Sequence, residues 1–210
     1  MKQTVLLLLA SSLSLSLWTG CQPQTTADKP TATPGKPGSG PNERAAVPSQ
    51  PRPQVPASKL PKGAVKGDFD GDGTTEYVWL VAPEVVDEME CKGECTSYLR
   101  FSKALFPAIT RENCIGGVPT NLGDLNGDGS DEIGLLPDWF TSCWMNYFVY
   151  TYRAGQWQPL VEPFATHCNQ WEAEAKPIEI DPSKKGFVLV RYTDMDDTTF
   201  AVKTKSVPVL

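Results

Sequence analysis

The sequence predicts an all-β domain of two to three blade-like antiparallel sheets, a partial propeller-like arrangement, preceded by a signal peptide and a disordered linker. Three observations lead there. Nearly the same ten-residue loop occurs twice, GDFDGDGTTE at Gly67–Glu76 and GDLNGDGSDE at Gly123–Glu132. Each loop runs directly into a short apolar stretch rich in Val, Leu, Ile and aromatic residues, the composition of a strand. No stretch shows a long helical period with caps. Asp68 and Asp124 begin equivalent positions 56 residues apart, so the loop belongs to a repeated unit.

Residues 1–20 read as a lipoprotein signal peptide. Lys2 supplies a short positive start, and Val5–Leu17 is an apolar run broken mainly by serines, too short to span a membrane as a mature helix. The segment Leu17-Trp18-Thr19-Gly20-Cys21 resembles a bacterial lipobox, which implies lipidation of Cys21; Trp18 departs from the aliphatic residue usual at its position. Ordinary secretion with cleavage nearby is the alternative. Gln22 rather than Asp follows Cys21, and by resemblance to the usual sorting signal this favours the outer membrane. More than one acyl chain suffices for stable anchoring.

Residues 21–61 form the lipidated cysteine and its tether. Ten of the 19 prolines lie in residues 22–61, among Gly, Ser, Thr and Gln, with almost nothing to bury. Extended at roughly 3.1 Å per residue, this tether spans on the order of 120 Å.

Residues 62–210 are one domain's worth of chain, long enough for a real core. Residues 63–210 carry 12 Lys/Arg against 23 Asp/Glu. That acidity, without a basic patch, excludes nucleic acid as the expected partner. Strands are expected at Glu76–Ala82, Ser97–Ser102, Glu132–Leu136, Asn146–Tyr152, Gln156–Val161, Phe187–Thr193 and Thr199–Val207. Asn146–Tyr152 and Gln156–Val161 form a hairpin about Arg153-Ala154-Gly155, with Pro159 pushing its second strand to an edge. The last two strands pair about Asp194–Asp197, which reads as a solvated turn.

In an exported protein the cysteines point to disulfides before metal sites. Cys91-Lys-Gly-Glu-Cys95 looks like a hairpin tip closed by its own bridge, and Cys143 and Cys168 flank the hairpin and are placed to pair across its base. Cys114 is left over. The single histidine, His167, is a poor start for zinc.

Within the loops, oxygen-bearing side chains alternate: Asp68, Asp70, Asp72 and Glu76, then Asp124, Asn126, Asp128 and Glu132. Such charge in a tight turn repels itself unless a hard cation sits inside, and calcium takes six to eight oxygens. An EF-hand or dockerin loop places its last acid at position 12 and continues as a helix. Position 12 here is Trp79 or Leu135, each within a strand-like run, and the last acid falls at position 9. The pattern D-x-[DN]-G-D-G-x-x-[DE] leading into a strand resembles the FG-GAP/VCBS repeats of integrin-type β-propellers. That resemblance implies two calcium sites. The side chains above are their ligands, joined by the carbonyls of Thr74 and Ser130. Gly71, Gly73, Gly127 and Gly129 permit the tight backbone. Closed propellers use four to eight blades, and this chain has room for two units and a fragment. A decayed third copy is readable at Asp181, with Gly186 matching Gly129 and Lys185 where a ligand belongs. A chance Asp and Gly in an ordinary hairpin explains it equally.

The expected function is a non-catalytic, calcium-stabilised, lipid-anchored envelope module for binding, adhesion or scaffolding. Its partners would be the membrane, through the lipid, and an unidentified protein or glycan. Two other classes stay open. Trp139, Trp144, Trp157 and Trp171 could stack on sugar rings, although aromatics in small β domains commonly serve the core. A carboxylate hydrolase would need two facing acids; Glu112, Glu172 and Glu174 lie outside the loops, but nothing in the sequence places them together.

Overall fold

A computed structural model describes residues 55–172 and 176–210. The signal peptide, Cys21 and the tether up to residue 54 lie outside the described residues. The described chain is almost wholly β, in small antiparallel sheets, none of them closed into a barrel. No helix among the described residues is long and apolar enough to cross a membrane. The last residues of the proline-rich stretch already engage the fold, since Val55 N donates to Ser102 O at 3.0 Å.

The first sheet is a four-stranded meander. Strands β1 (Val65–Gly67), β2 (Glu76–Val81), β5 (Thr96–Phe101) and β6 (Ile109–Glu112) lie side by side in that order. Between β2 and β5 the chain leaves the sheet in a small hairpin, β3 (Val85–Asp87) and β4 (Glu90–Cys91). Cys91 and Cys95 are bridged as expected, with Cα atoms 5.4 Å apart, but not at a hairpin tip: Cys91 pairs with Val85 at the open end of this hairpin, and the bridge closes the link from β4 to β5.

The second sheet repeats the plan with β7 (Gly116–Gly123), β8 (Glu132–Asp138), β9 (Trp144–Arg153) and β10 (Gln156–Pro159). Strand β11 (Phe164–His167) pairs with the first half of β9. His167 lies opposite Trp144, which brings the flanking Cys143 and Cys168 together as a second disulfide. Cys114 is free and buried. A third sheet, β12-β13-β14 (Ile178–Ile180, Phe187–Thr193, Val202–Pro208), completes the stack.

The seven expected strands are all present, shifted by a few residues at their ends. The strands without a sequence signal are short or irregular. Strand β7 reads GGVPTNLG and contains Pro119, which a sheet tolerates only at an edge; β7 is an edge. Pro159 likewise sits in an edge strand.

The second sheet is the middle layer. Successive side chains along a strand point to opposite faces, and β9 uses both. Tyr150, with Phe148 and Tyr152 at its margin, joins Phe69, Val78, Leu99, Phe101, Ile133 and Leu135 in a core against the first sheet. Tyr147 and Val149 join Leu125, Leu160, Phe164, Ile178, Val188 and Val190 in a core against the third. Two stacked interfaces therefore arise from one strand's alternation.

Each loop contributes a plug to these interfaces. Phe69, the second ligand-loop residue, is fully buried between the first and second sheets. Leu125, its equivalent, is buried between the second and third. In the third sheet the chain from Asp181 joins β12 to β13, the same topological place. The residue after it, Pro182, is exposed, because no further sheet lies beyond among the described residues.

Candidate metal centre

Both loops connect the first two strands of their sheet, β1 to β2 and β7 to β8. Their backbones share four hydrogen bonds, and the second loop adds two, from Gly127 N to Asp124 and from Asp128 N to Asn126. Asp68 accepts from the N–H groups of Asp72 and Gly73 at 3.1 and 2.9 Å. Asp124 accepts from those of Gly127, Asp128 and Gly129 at 2.6, 3.2 and 2.9 Å. Asp72 accepts from Thr74 N at 2.8 Å, and Asp128 from Ser130 N at 2.9 Å. The glutamates at position 9 are completely buried. Each turns one oxygen back to its own loop: Glu76 Oε2 accepts from Phe69 N at 3.1 Å, and Glu132 Oε2 from Leu125 N at 2.6 Å. Gly73 and Gly129 have φ of 79° and 93°, a region open to glycine at little cost.

The loops also touch each other. Asp131 N donates to Asp68 O at 2.7 Å, and Asp131 Oδ2 accepts from Asp68 N at 3.0 Å. Asn121 Nδ2 donates to the same Asp131 oxygen and to Lys66 O. A Cβ on Gly71 would stand 3.1 Å from Gly129 O and Ser130 Oγ. The two loops form one continuous edge of the molecule.

What fills their centres differs. Asp68, Asp70 and Glu76 bring carboxylate oxygens within 4.8 Å of one another, and the ammonium of Lys103 stands at this cluster. Lys103 Nζ lies 2.5 Å from Asp70 Oδ2, 2.7 Å from Asp72 Oδ2 and 3.0 Å from Glu76 Oε1. Its side chain is 2% exposed. Burial works against the charged ammonium, but the hydrogen bonds to Asp70, Asp72 and Glu76 more than reverse this and raise its pKa above the ordinary lysine range. The Lys103 hydrogen bond, helped by Thr74, lowers Asp72 to about 2. Burial raises Glu76 even so, although Lys103 opposes it. Asp70 Oδ1 is buried without a partner.

The second loop has no ammonium at its centre among the described residues. Glu132 Oε1 accepts from Asn126 Nδ2 at 2.7 Å. Asn126 Oδ1 takes Asp128 N at 2.7 Å. The nearest cation is Arg153, whose Nε stands 3.8 Å from Asp128 Oδ2 at the rim. Burial, with Asp128 and Asp124 adding like charge, raises Glu132 to about 7. A fully buried acid beside two further carboxylates, with an amide and a hydroxyl for company, is the setting a hard cation would relieve.

The cross-strand register sets this difference. Val78 pairs with Phe101, and Ser102 N donates to Tyr77 O, so Lys103 falls opposite Glu76. Ile133 pairs with Tyr150, so Thr151 falls opposite Glu132. Thr151 is fully buried, its hydroxyl within reach of Glu132 and 3.4 Å from Asn126 Nδ2.

Tested against calcium, the second loop fits: Asp124, Asn126, Asp128, Glu132 and the Ser130 carbonyl supply oxygens of the required type. The first loop does not fit while Lys103 stays, since three of its four side-chain ligands already converge on the ammonium. The third turn holds no such ring. Asp181 accepts from Ser183 N and Oγ and from Ser206 Oγ, three neutral donors.

The other candidates stay apart from these loops. Glu112 is exposed at the end of β6. Glu174 and the side chain of Glu172 lie outside the described residues. Trp157 is packed in the first core, stacked on Phe101 at 4.7 Å, with its N–H donated to Pro107 O. Trp171 lies against Tyr147 at the second core. His167 is covered by Trp144 and Phe200, beside sulfurs tied up in the Cys143–Cys168 disulfide. Lys103 is the functional residue that sequence reading passed over. No protein-family model, curated protein or solved structure matches the chain.

Proposed function

We propose that this is a calcium-stabilised β-repeat module of the FG-GAP/VCBS type, carried on a lipid-anchored tether in a bacterial envelope and serving non-catalytic binding, adhesion or scaffolding. The observation that carries the reading is the second loop. A completely buried Glu132 and two aspartates share one tight turn that joins the first two strands of a sheet, with no ammonium at its centre among the described residues. Calcium there would be held by Asp124, Asn126, Asp128, Glu132 and the Ser130 carbonyl. When bound it supplies charge compensation and a fixed loop; the surrounding residues supply the scaffold. Leu125 plugs the interface to the third sheet and is tied to Glu132, so cation binding is coupled to the packing of two sheets.

The test is thermal unfolding with excess chelator and with millimolar calcium, the range on the order of 10⁻⁴–10⁻³ M in which extracellular modules bind. Calcium is expected to raise the melting temperature. An unchanged curve would sink the calcium assignment. The anchor is tested separately: Cys21→Ser should release the protein from the membrane fraction, and retention there would remove the lipoprotein reading.

A further inference from the structure

We infer that Lys103 is the resident cation of the first loop, so that the chain carries one exchangeable divalent-cation site rather than two, and that the residue opposite the position-9 glutamate, Lys103 or Thr151, decides which loop takes a metal. The part concerning the second loop rests on the calcium reading above; the part concerning Lys103 does not.

Four observations support it. The two loops share four hydrogen bonds that hold the backbone, so their main difference lies in what faces them across the sheet. The Lys103 ammonium makes short contacts to Asp70, Asp72 and Glu76 together, the residues of positions 3, 5 and 9. Its side chain is almost completely buried, and its amine lies over the Phe106 ring. Withdrawing it would leave a fully buried Glu76 without its ammonium partner. Finally, Thr151 occupies the equivalent cross-strand position in the second loop, and its short neutral side chain brings no ammonium to that centre.

An ammonium and a hard metal ion meet the same requirement, positive charge among converging carboxylates. They differ in how they are lost. An ion exchanges with solvent and is removed by chelators, whereas a lysine is covalently part of the chain and stays. Asp70 Oδ1 is buried without a partner, but the other oxygen of Asp70, with Asp72 Oδ2 and Glu76 Oε1, is engaged by the ammonium. A metal entering the first loop would have to expel Lys103 first.

The experiment is calcium stoichiometry on the purified chain, by calorimetry and native mass spectrometry after chelator removal. Wild type is expected to bind one calcium, lost in Asp128→Ala. Lys103→Thr, which copies the second loop, is expected to bind two, and the double variant with Asp128→Ala one. Two calcium ions on wild type, or no gain in Lys103→Thr, would overturn the inference. Zero on wild type with one on Lys103→Thr would sink the calcium reading of the second loop and uphold the role of Lys103. A second measurement needs no variant. Acylation of wild-type lysines by an amine-reactive ester should spare Lys103 equally with chelator and with calcium; labelling of Lys103 that rises with calcium would show displacement and overturn it. An intact mass short by one water would do the same, since an amide between Lys103 and Asp70 leaves no ammonium.

Discussion

The first and second loops share a motif and a place in their sheets, yet among the described residues only the first has an ammonium of the chain at its centre. In the first, Lys103 reaches three carboxylates; in the second, Glu132 is left with Asn126, Thr151 and a backbone N–H. The pKa values show the consequence. Burial raises both glutamates, but in the first loop the ammonium pulls against it, whereas in the second neighbouring carboxylates push with it, up to about 7. A metal-loop signature therefore specifies a turn that concentrates negative charge. Whether that charge is met by an ion or by the chain depends on a residue from another strand.

The largest test of this contrast is removal of the internal cation. Lys103→Met in chelator should destabilise by about 3–5 kcal/mol, the usual cost of breaking a buried pair and leaving charge uncompensated. Denaturant titration measures it, and calcium should restore part of the loss. A change below about 1 kcal/mol would show that the Lys103 contacts carry little. Next is calcium itself. At about 100 times its dissociation constant, a single site adds roughly 2.7 kcal/mol. Asp128→Ala should abolish that response, while Asp72→Ala should destabilise with the calcium response intact. Equal loss of response in both variants would erase the distinction between the loops.

Backbone equivalence is checked by smaller changes. A Cβ on Gly73 or Gly129 meets no atom within 4 Å, so only the left-handed backbone opposes alanine there. Each substitution should cost about 1–2 kcal/mol, and nearly the same in both loops. Unequal values would mean that the turns are not alike in solution. The smallest effect is expected at Asp181→Ala. Its neutral serine partners predict a slight fall in melting temperature, identical with and without calcium, and any calcium dependence there would make the third turn a metal loop as well.

Much of the architecture was legible in the sequence. The seven strongest strands follow apolar stretches, and the edge position of β10 follows from Pro159. The pairing of Cys143 with Cys168 follows from the hairpin region they flank; Cys91 and Cys95 pair as their spacing suggests, but across a link between β4 and β5 and not at a hairpin tip. The short strands β1, β3, β4, β6, β11 and β12 were not legible, because two to four residues carry no period. Lys103 was hidden for a different reason. Glu132 follows Glu76 by 56 residues, but Thr151 follows Lys103 by only 48. The chain between β2 and β5 makes the hairpin β3–β4 and the disulfide-bridged link after it, whereas β8 and β9 are joined by five residues. Aligning the repeats at constant offset sets Lys103 against Pro159 and conceals the match.

The sequence by itself determined the two acidic turns, because glycines at fixed offsets and alternating acids act within ten residues and need no distant partner. It also determined that each turn feeds a strand, since position 12 is apolar in both. Only the tertiary structure decided what stands inside the turns. The facing residue is set by antiparallel register between strands separated by hairpins of unequal length, and electrostatics at 3 Å is decided by that register. The same sheet stacking made Phe69 and Leu125 into plugs between layers, a role that their apolar character permits and their neighbours in space assign.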